Sequence, residues 1–300
     1  MVEQAPGVEV HLLDGTYELF RYYYGQPSHV AGDGREVAAV RGVVGTIAAM
    51  LESGVTHLGV ATDHTVESFR NDLYEGYKTG DGVPEELLFQ FALLEEAVVS
   101  MGVTLWPMEE YEADDGLASA ARRAAEDGEV SRVYVCSPDK DLAQCVVGDR
   151  VLQRHRRTEV DLDEAAVIAY FGVAPHSIPD WLALVGDSAD GFPGLKGWGK
   201  KGAATVLRHY GHLESIPATV VEWEPSVRAG VRGAQVLAER LAQEMDQALL
   251  FRDLATLRTN VPTFESLDDL RWSGPSEAFQ ELASYLGARR TLDRIERMNR

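Results

Sequence analysis

Apolar and polar positions along the first half of the chain switch repeatedly between strand-like runs and helical spacing. Residues 8–13, VEVHLL, are a short apolar run ending at Asp14-Gly15, the pattern of a strand followed by a turn. From 36 to 52 the apolar positions Val37, Val40, Val44, Ile47, Ala48 and Leu51 predict a helix, closed by Gly54. Residues 56–62, THLGVAT, predict a second strand ending at Asp63. Residues 85–101 predict a helix closed by Gly102, and 103–106 a further strand. Residues 112–126, EADDGLASAARRAAE, predict a helix with acids in its first turn, where the helix dipole favours negative charge. Residues 131–136, SRVYVC, are a third clear strand, finishing near Asp139. Strands alternating with helices predict an α/β fold, a mostly parallel sheet flanked by helices.

The pattern changes after about residue 160. Residues 161–216 read as short helices broken by glycines, with the turn-rich segment GDSADGFPGLKGWGKKGAA at 186–204 in their middle. Residues 233–251 read as one longer amphipathic helix, LATLR at 254–258 as a strand returning to the sheet, and the tail from Pro275 as helix. The expected organisation is therefore an α/β core over 1–160, a helical subdomain over 161–230, and C-terminal helices with the return strand over 231–300.

Composition narrows the class. Of 300 residues, 45% are hydrophobic and 25% charged, which is globular usage able to bury a core. No apolar stretch is long enough to span a bilayer, so no membrane association is expected. The N-terminal segment MVEQAPGVEV lacks the basic-then-apolar pattern of a leader, so a cytoplasmic protein is expected. Only Cys136 and Cys145 occur, not as a CxxC pair, which argues against structural zinc and a disulfide framework. The formal charge of −20 argues against a generally basic nucleic-acid surface. It leaves open a site where acids converge on cations.

The acids have a pattern. Three predicted strands finish on acids: Asp14, Asp63, and the pair Asp139 and Asp141. Glu112, Asp114 and Asp115 open the helix after another strand, and Asp187 and Asp190 lie in the glycine-rich turn. Ligands of open α/β sheets bind at the carboxyl ends of the strands. Taken singly, an Asp after a strand is more often a turn residue or helix cap. Taken together, crowded carboxylates raise one another's pKa and do not all stay ionised without cations. An oxygen-only donor set suits Mg²⁺ or Mn²⁺. Two such ions roughly 3.5–4 Å apart clamp the attacking and leaving oxygens of a phosphoryl displacement.

Five collinear segments carry a family resemblance: LLDGT at 12–16, ATDHTVESFRNDLYEGYK at 61–78, YEADDGLAS at 111–119, SPDKDLAQ at 137–144 and GDSADGFPGLKGWGKKGAA at 186–204. Together they resemble the 5′-nuclease domain of bacterial DNA polymerase I and the related phage 5′-nucleases and flap endonucleases. The resemblance implies a PIN-like nuclease core, an arch region over about 64–100 and a helix–hairpin–helix subdomain. It implies metal-site carboxylates at Asp14, Asp63, Glu112, Asp114, Asp115, Asp139, Asp141, Asp187 and Asp190, holding two Mg²⁺ or Mn²⁺ ions. Arg70 and Lys78 fall in the arch, where basic side chains steer the scissile phosphate, and Tyr77 is placed to stack on a base or to pack. Gly194, Lys196, Gly197, Gly199, Lys200, Lys201 and Gly202 match the hairpin, whose backbone amides hold duplex phosphates and whose carbonyls hold K⁺ in the family. A basic run at Arg154, Arg156 and Arg157 extends this track or forms a solvated loop.

Three positions depart from the family pattern. Asp81 stands where an Arg is usual, Arg41 where a DNA-facing Tyr is common, and Gly191 where an Asn often follows the second acid of the turn. None is a metal ligand, so altered substrate handling is expected rather than loss of catalysis. The implied activity is structure-specific hydrolysis of DNA at 5′ flaps, ends and junctions, including RNA primer ends, in replication and repair. It implies action on nucleoid DNA, beside a polymerase and a ligase. With no polymerase segment after the nuclease part, a standalone nuclease is expected. Two alternatives remain: a junction-binding scaffold without turnover, and a PIN-like ribonuclease, against which the hairpin segment argues.

Overall fold

The computed structural model describes residues 7–298. The reading of the first six residues as lacking a leader lies outside the described residues, as do the last two positions. In chain order the elements are β1 (Val8–Asp14), α1 (Gly15–Gly25), α2 (Ala38–Glu52), β2 (His57–Asp63), α3 (Phe69–Leu73), α4 (Glu85–Ser100), β3 (Thr104–Met108), α5 (Ala113–Glu126) and β4 (Val130–Cys136). There follow β5 (Val151–His155), β6 (Val160–Leu162), α6 (Glu164–Phe171), α7 (Ile178–Val185), α8 (Lys200–Tyr210), α9 (Pro225–Gly230), α10 (Ala234–Gln243), α11 (Met245–Ala255), α12 (Ala278–Tyr285) and α13 (Arg289–Met298). No helix among the described residues is long and apolar enough to cross a membrane.

The chain folds as two compact units. The first takes the chain up to Ser68, Gly80–Ser137, and everything from Arg258. Its centre is a parallel sheet in the order β3-β2-β1-β4. Val10, Leu12, Leu13, Leu58, Val60, Val133 and Val135 are buried, because helices cover both faces and such strands read as apolar runs rather than alternations. Helices α2 and α4 pack together, and α12 and α13 close against them. Trp272 donates from its ring N–H to the Met101 carbonyl at 2.8 Å, tying the C-terminal segment to the end of α4.

The second unit comprises Phe69–Thr79 and Pro138–Leu257. It is helical apart from the antiparallel β5–β6 hairpin. Its core gathers Trp181, Phe192, Trp198, Trp223 and Phe251 around α7 and α11, with Phe192 and Phe251 stacked at 5.7 Å. The glycine-rich segment joins α7 to α8 and doubles back tightly. A Cβ on Gly194, whose φ is +67°, would lie 2.3 Å from the Gly186 amide nitrogen, so only glycine admits that backbone approach.

Several expectations need correction. The boundary expected near 160 lies at Ser137/Pro138, and the second unit runs on past 230 to Leu257. The expected arch is divided, with Phe69–Thr79 in the second unit and Gly80 onward in the first. Residues 254–258 are no strand: α11 ends at Ala255, and Leu254 is buried as a helical residue. The single helix over 233–251 is two, breaking at Glu244. Asp14-Gly15 opens α1 rather than a turn, because the Asp14 side chain accepts from the Tyr17 amide at 2.8 Å and caps the helix.

Candidate functional site

Five of the nine expected carboxylates belong to the first unit, at the carboxyl end of its sheet. Asp14 ends β1, with one oxygen on the Tyr17 amide and the other receiving the Ser137 hydroxyl at 2.8 Å. Asp63 ends β2 and accepts the Ala113 amide at 2.7 Å, at the start of α5. Glu112 precedes α5, is buried, and accepts the Ser68 hydroxyl at 2.7 Å. Asp115 is fully buried, accepting the Glu112 amide at 3.0 Å and the Arg258 amide at 2.8 Å. Asp114 lies half-buried in the same helical turn. Backbone amides thus hold Asp14, Asp63, Glu112 and Asp115, the last two as the reciprocal capping box of α5.

The other four belong to the second unit, and three of them converge. Among the described residues, Asp141, Asp187 and Asp190 form the one acidic group whose ligand atoms all lie within 4.8 Å of one another. Asp139 stands beside them and accepts the Asp141 amide at 3.1 Å. Asp187 is buried, and its second oxygen takes the Ala189 amide at 2.9 Å.

Two lysines meet this triad. The Lys78 ammonium lies 2.9 Å from Asp190 Oδ1, and Lys140 pairs with Asp187. Burial pulls the Lys140 pKa down, but the Asp187 hydrogen bond and the charges of Asp187, Asp141 and Asp139 outweigh it, and the pKa rises. Lys140 was not singled out from sequence, although it stands between two site acids and that spacing was its signal.

Asp141 is the acid of this group with an unpartnered buried oxygen. It is buried, and its Oδ1 has no hydrogen-bond partner. Burial, then the carboxylates of Asp139, Asp190 and Asp187, push its pKa well above the ordinary value, while Lys140 opposes the shift. An orphaned buried carboxylate oxygen, facing two further carboxylates in an oxygen-only donor set, fits a hard divalent cation.

The remaining expected contacts divide. Lys196, Lys200 and Lys201 are exposed along the turn and the start of α8, with Gly199 at the N-cap and Gly202 in the first turn. Gly194 is buried and Gly197 has a φ of +92°. Arg41 is exposed on α2 of the first unit. Arg70 is a correction: it is 1% exposed, donating to the carbonyls of Leu254 at 2.8 Å and Thr256 at 3.2 Å. It neutralises the end of α11, where the free carbonyls concentrate negative charge, instead of standing ready for a phosphate. Tyr77 packs in the core of the second unit rather than offering a ring face. Arg154 is bound to Asp161 across the β5–β6 hairpin by two bonds of 2.6 Å, so the basic run does not extend a free track from there. Gly191 is required where it stands. Its φ is +87°, and a Cβ would lie 2.2 Å from the Gly76 carbonyl oxygen, so an Asn cannot fit without moving the segment that carries Lys78.

Two family models match end to end. Residues 9–172 match the 5′-3′ exonuclease N-terminal resolvase-like domain, and 173–278 the 5′-3′ exonuclease C-terminal SAM fold. The chain belongs to the 5′-3′ exonuclease family. By family it is a nuclease, a hydrolase of phosphodiester bonds. DNA polymerase I of Rhizobium leguminosarum is 35% identical over 274 residues, 88% of this chain and 26% of that protein. The chain spans only about a quarter to a third of the length of such polymerase relatives. Among solved structures, a bacteriophage T5 flap endonuclease, in a pseudo-enzyme–product complex with DNA and metal ions, shares a TM-score of 0.64 at 17% identity, covering 96% of this chain and 99% of that one. Flap endonuclease-1 from Methanococcus jannaschii shares a TM-score of 0.59 at 16% identity, covering 98% and 93%. At these identities the structural likeness is one of fold.

Proposed function

We infer that this family member cuts DNA at 5′ flaps, ends and junctions, leaving a 5′-phosphate and a 3′-hydroxyl, with two Mg²⁺ or Mn²⁺ ions. The observation that carries the reading is the buried Asp141 oxygen without a donor, set among Asp187 and Asp190 within 4.8 Å. Asp139, Asp141, Asp187 and Asp190 would hold one ion, and Asp14, Asp63, Glu112, Asp114 and Asp115 the other. When bound, the ions supply Lewis acidity that activates water and neutralises phosphoryl charge.

The chain's own residues do the rest. Lys78 and Lys140 bring positive charge to the triad, where a phosphate oxygen gains negative charge in the transition state. Lys196, Lys200 and Lys201, exposed beside the amide end of α8, take duplex phosphates without reading sequence. Carbonyls of the same turn would hold K⁺. Local positive charge here answers the objection raised by the net −20. The cellular setting we propose is the bacterial cytoplasm, on nucleoid DNA, removing flaps and RNA primer ends beside a polymerase and a ligase.

The test is cleavage of a 5′-labelled flap on duplex DNA with Mg²⁺, Mn²⁺ or EDTA, with Asp141→Ala alongside. Cleavage at the junction that needs both metal and Asp141 is expected. Duplex binding without cleavage in either metal would replace this reading with a junction-binding scaffold. Cleavage confined to an RNA flap would replace it with a ribonuclease.

A further inference from the structure

A second cleft in the helical unit shares Lys140, Lys200 and Lys201 with the reading above, but its Arg208 and its aromatic wall have no part in that reading. It has a volume of about 660 Å³ and is lined by Lys140, Lys200, Lys201 and Arg208, with Tyr170 and Trp181 among its other walls. No carboxylate lines it, in a chain with 48 acids against 28 lysines and arginines. Lys140 is paired with Asp187, but Lys200, Lys201 and Arg208 stand together with no acid in the lining, against that overall balance.

The cations are placed to receive an anion. Arg208 Nε donates to the Gly172 carbonyl at 3.0 Å, which orients the guanidinium and leaves its Nη groups without a protein acceptor among the described residues. Lys200 and Lys201 are exposed. Lys140 reaches from the cleft wall to Asp187, so the cleft adjoins the acidic triad.

The aromatic wall selects the class of ligand. Tyr170 is 77% exposed. Its ring meets the buried Phe171 edge-on at 4.8 Å, and Phe171 meets Trp181 edge-on at 5.5 Å. An open aromatic face at the rim of a basic cleft suits a base that is free to stack. Bases inside a duplex already stack on their neighbours; an unpaired one does not.

We propose that this cleft binds an unpaired nucleotide of the DNA strand, its base against Tyr170 and its phosphate on Arg208, while Lys200 and Lys201 stay with the duplex. The inference rests on the nuclease reading for its substrate and adds a single-strand subsite to it.

The test is fluorescence anisotropy of the full chain in EDTA with labelled oligothymidylate and, separately, a blunt duplex. Tyr170→Ala weakens oligothymidylate binding about fivefold or more, the worth of one base stack, and leaves duplex binding unchanged. Tyr170→Phe binds as the parent does, and Arg208→Gln weakens the single strand. Unchanged oligothymidylate binding by Tyr170→Ala overturns the proposal, as does an equal loss on the duplex. Flap cleavage by the parent protein runs in parallel. Cleavage with Tyr170-independent binding removes the cleft alone; Tyr170-dependent binding without cleavage removes the nuclease reading alone.

Discussion

Lys78 is bound to Asp190 twice: its ammonium lies 2.9 Å from Oδ1, and its backbone amide donates to the Asp190 carbonyl at 2.9 Å. The backbone bond fixes where the lysine begins, and the ammonium neutralises one acid of the triad. Lys78→Ala keeps the backbone bond and removes the ammonium together with the rest of the side chain. Flap cleavage is expected to fall by about 10²–10³, the usual loss when one preorganised transition-state donor is removed. Mg²⁺ affinity by calorimetry should hold or tighten, since Asp190 loses a competing cation. Weaker metal binding would make Lys78 a scaffold for the acids instead.

Lys140 makes the opposite test, because its partner Asp187 is buried. Removing the ammonium leaves a buried carboxylate facing Asp141 and Asp190. Lys140→Met is expected to destabilise the protein in EDTA by about 1–2 kcal/mol, less than for a fully buried pair because Lys140 is partly exposed. Mg²⁺ should restore most of that loss. Urea unfolding with and without the metal measures both; an equal loss in each condition would assign Lys140 a packing role only.

The strands and the acids were legible because both depend on local chemistry. A strand buried on two faces needs an apolar run, and β1, β2 and β4 carry one. What was not legible depends on partners far away in sequence. Arg70 looks like any arch cation until Leu254 and Thr256 appear against it. Tyr77 reads equally as a stacking platform or a packing ring until the core of the second unit closes over it. Helix α1 was hidden by its own composition, since Tyr17, Phe20, Tyr22 and Tyr23 favour strands. The Asp14 cap overrides that preference. The break between α10 and α11 has no Pro or Gly to announce it.

Asp141 predicts how stability responds to pH and metal. Its folded-state pKa lies above the ordinary 3.8, chiefly through burial. Its contribution is therefore fully present below the unfolded value and lost as pH rises through the folded one. In EDTA, Asp141→Asn should melt higher than the parent at pH near 8, and the gap should narrow as pH falls. Mg²⁺ at about a hundred times its Kd should stabilise the parent by about 2.7 kcal/mol and the variant by less. A parent melt that stays above the variant in EDTA at every pH would contradict the buried, uncompensated charge.

Gly191→Asn restores the residue common in the family, and here it should do harm. The new Cβ would lie 2.2 Å from the Gly76 carbonyl, at a φ of +87°. A loss on the order of 2 kcal/mol is expected from the strained backbone and the forced shift. Because Gly76 lies two residues before Lys78, cleavage should fall as well. Unchanged stability would show that the Phe69–Thr79 segment yields at little cost.

Arg70 separates a structural cation from a catalytic one. Its guanidinium satisfies the Leu254 and Thr256 carbonyls at the end of α11 and lies over the Phe69 ring at 4.6 Å. Arg70→Ala removes the donors that these carbonyls use inside the unit. A loss of about 3 kcal/mol in urea unfolding is expected. Arg41→Ala, on an exposed face of α2, should change stability by under about 0.5 kcal/mol and only weaken DNA binding. Were Arg70→Ala as stable as the parent and deficient only in kcat, its place would be at the phosphate, and the buried geometry would describe a state that opens before substrate enters.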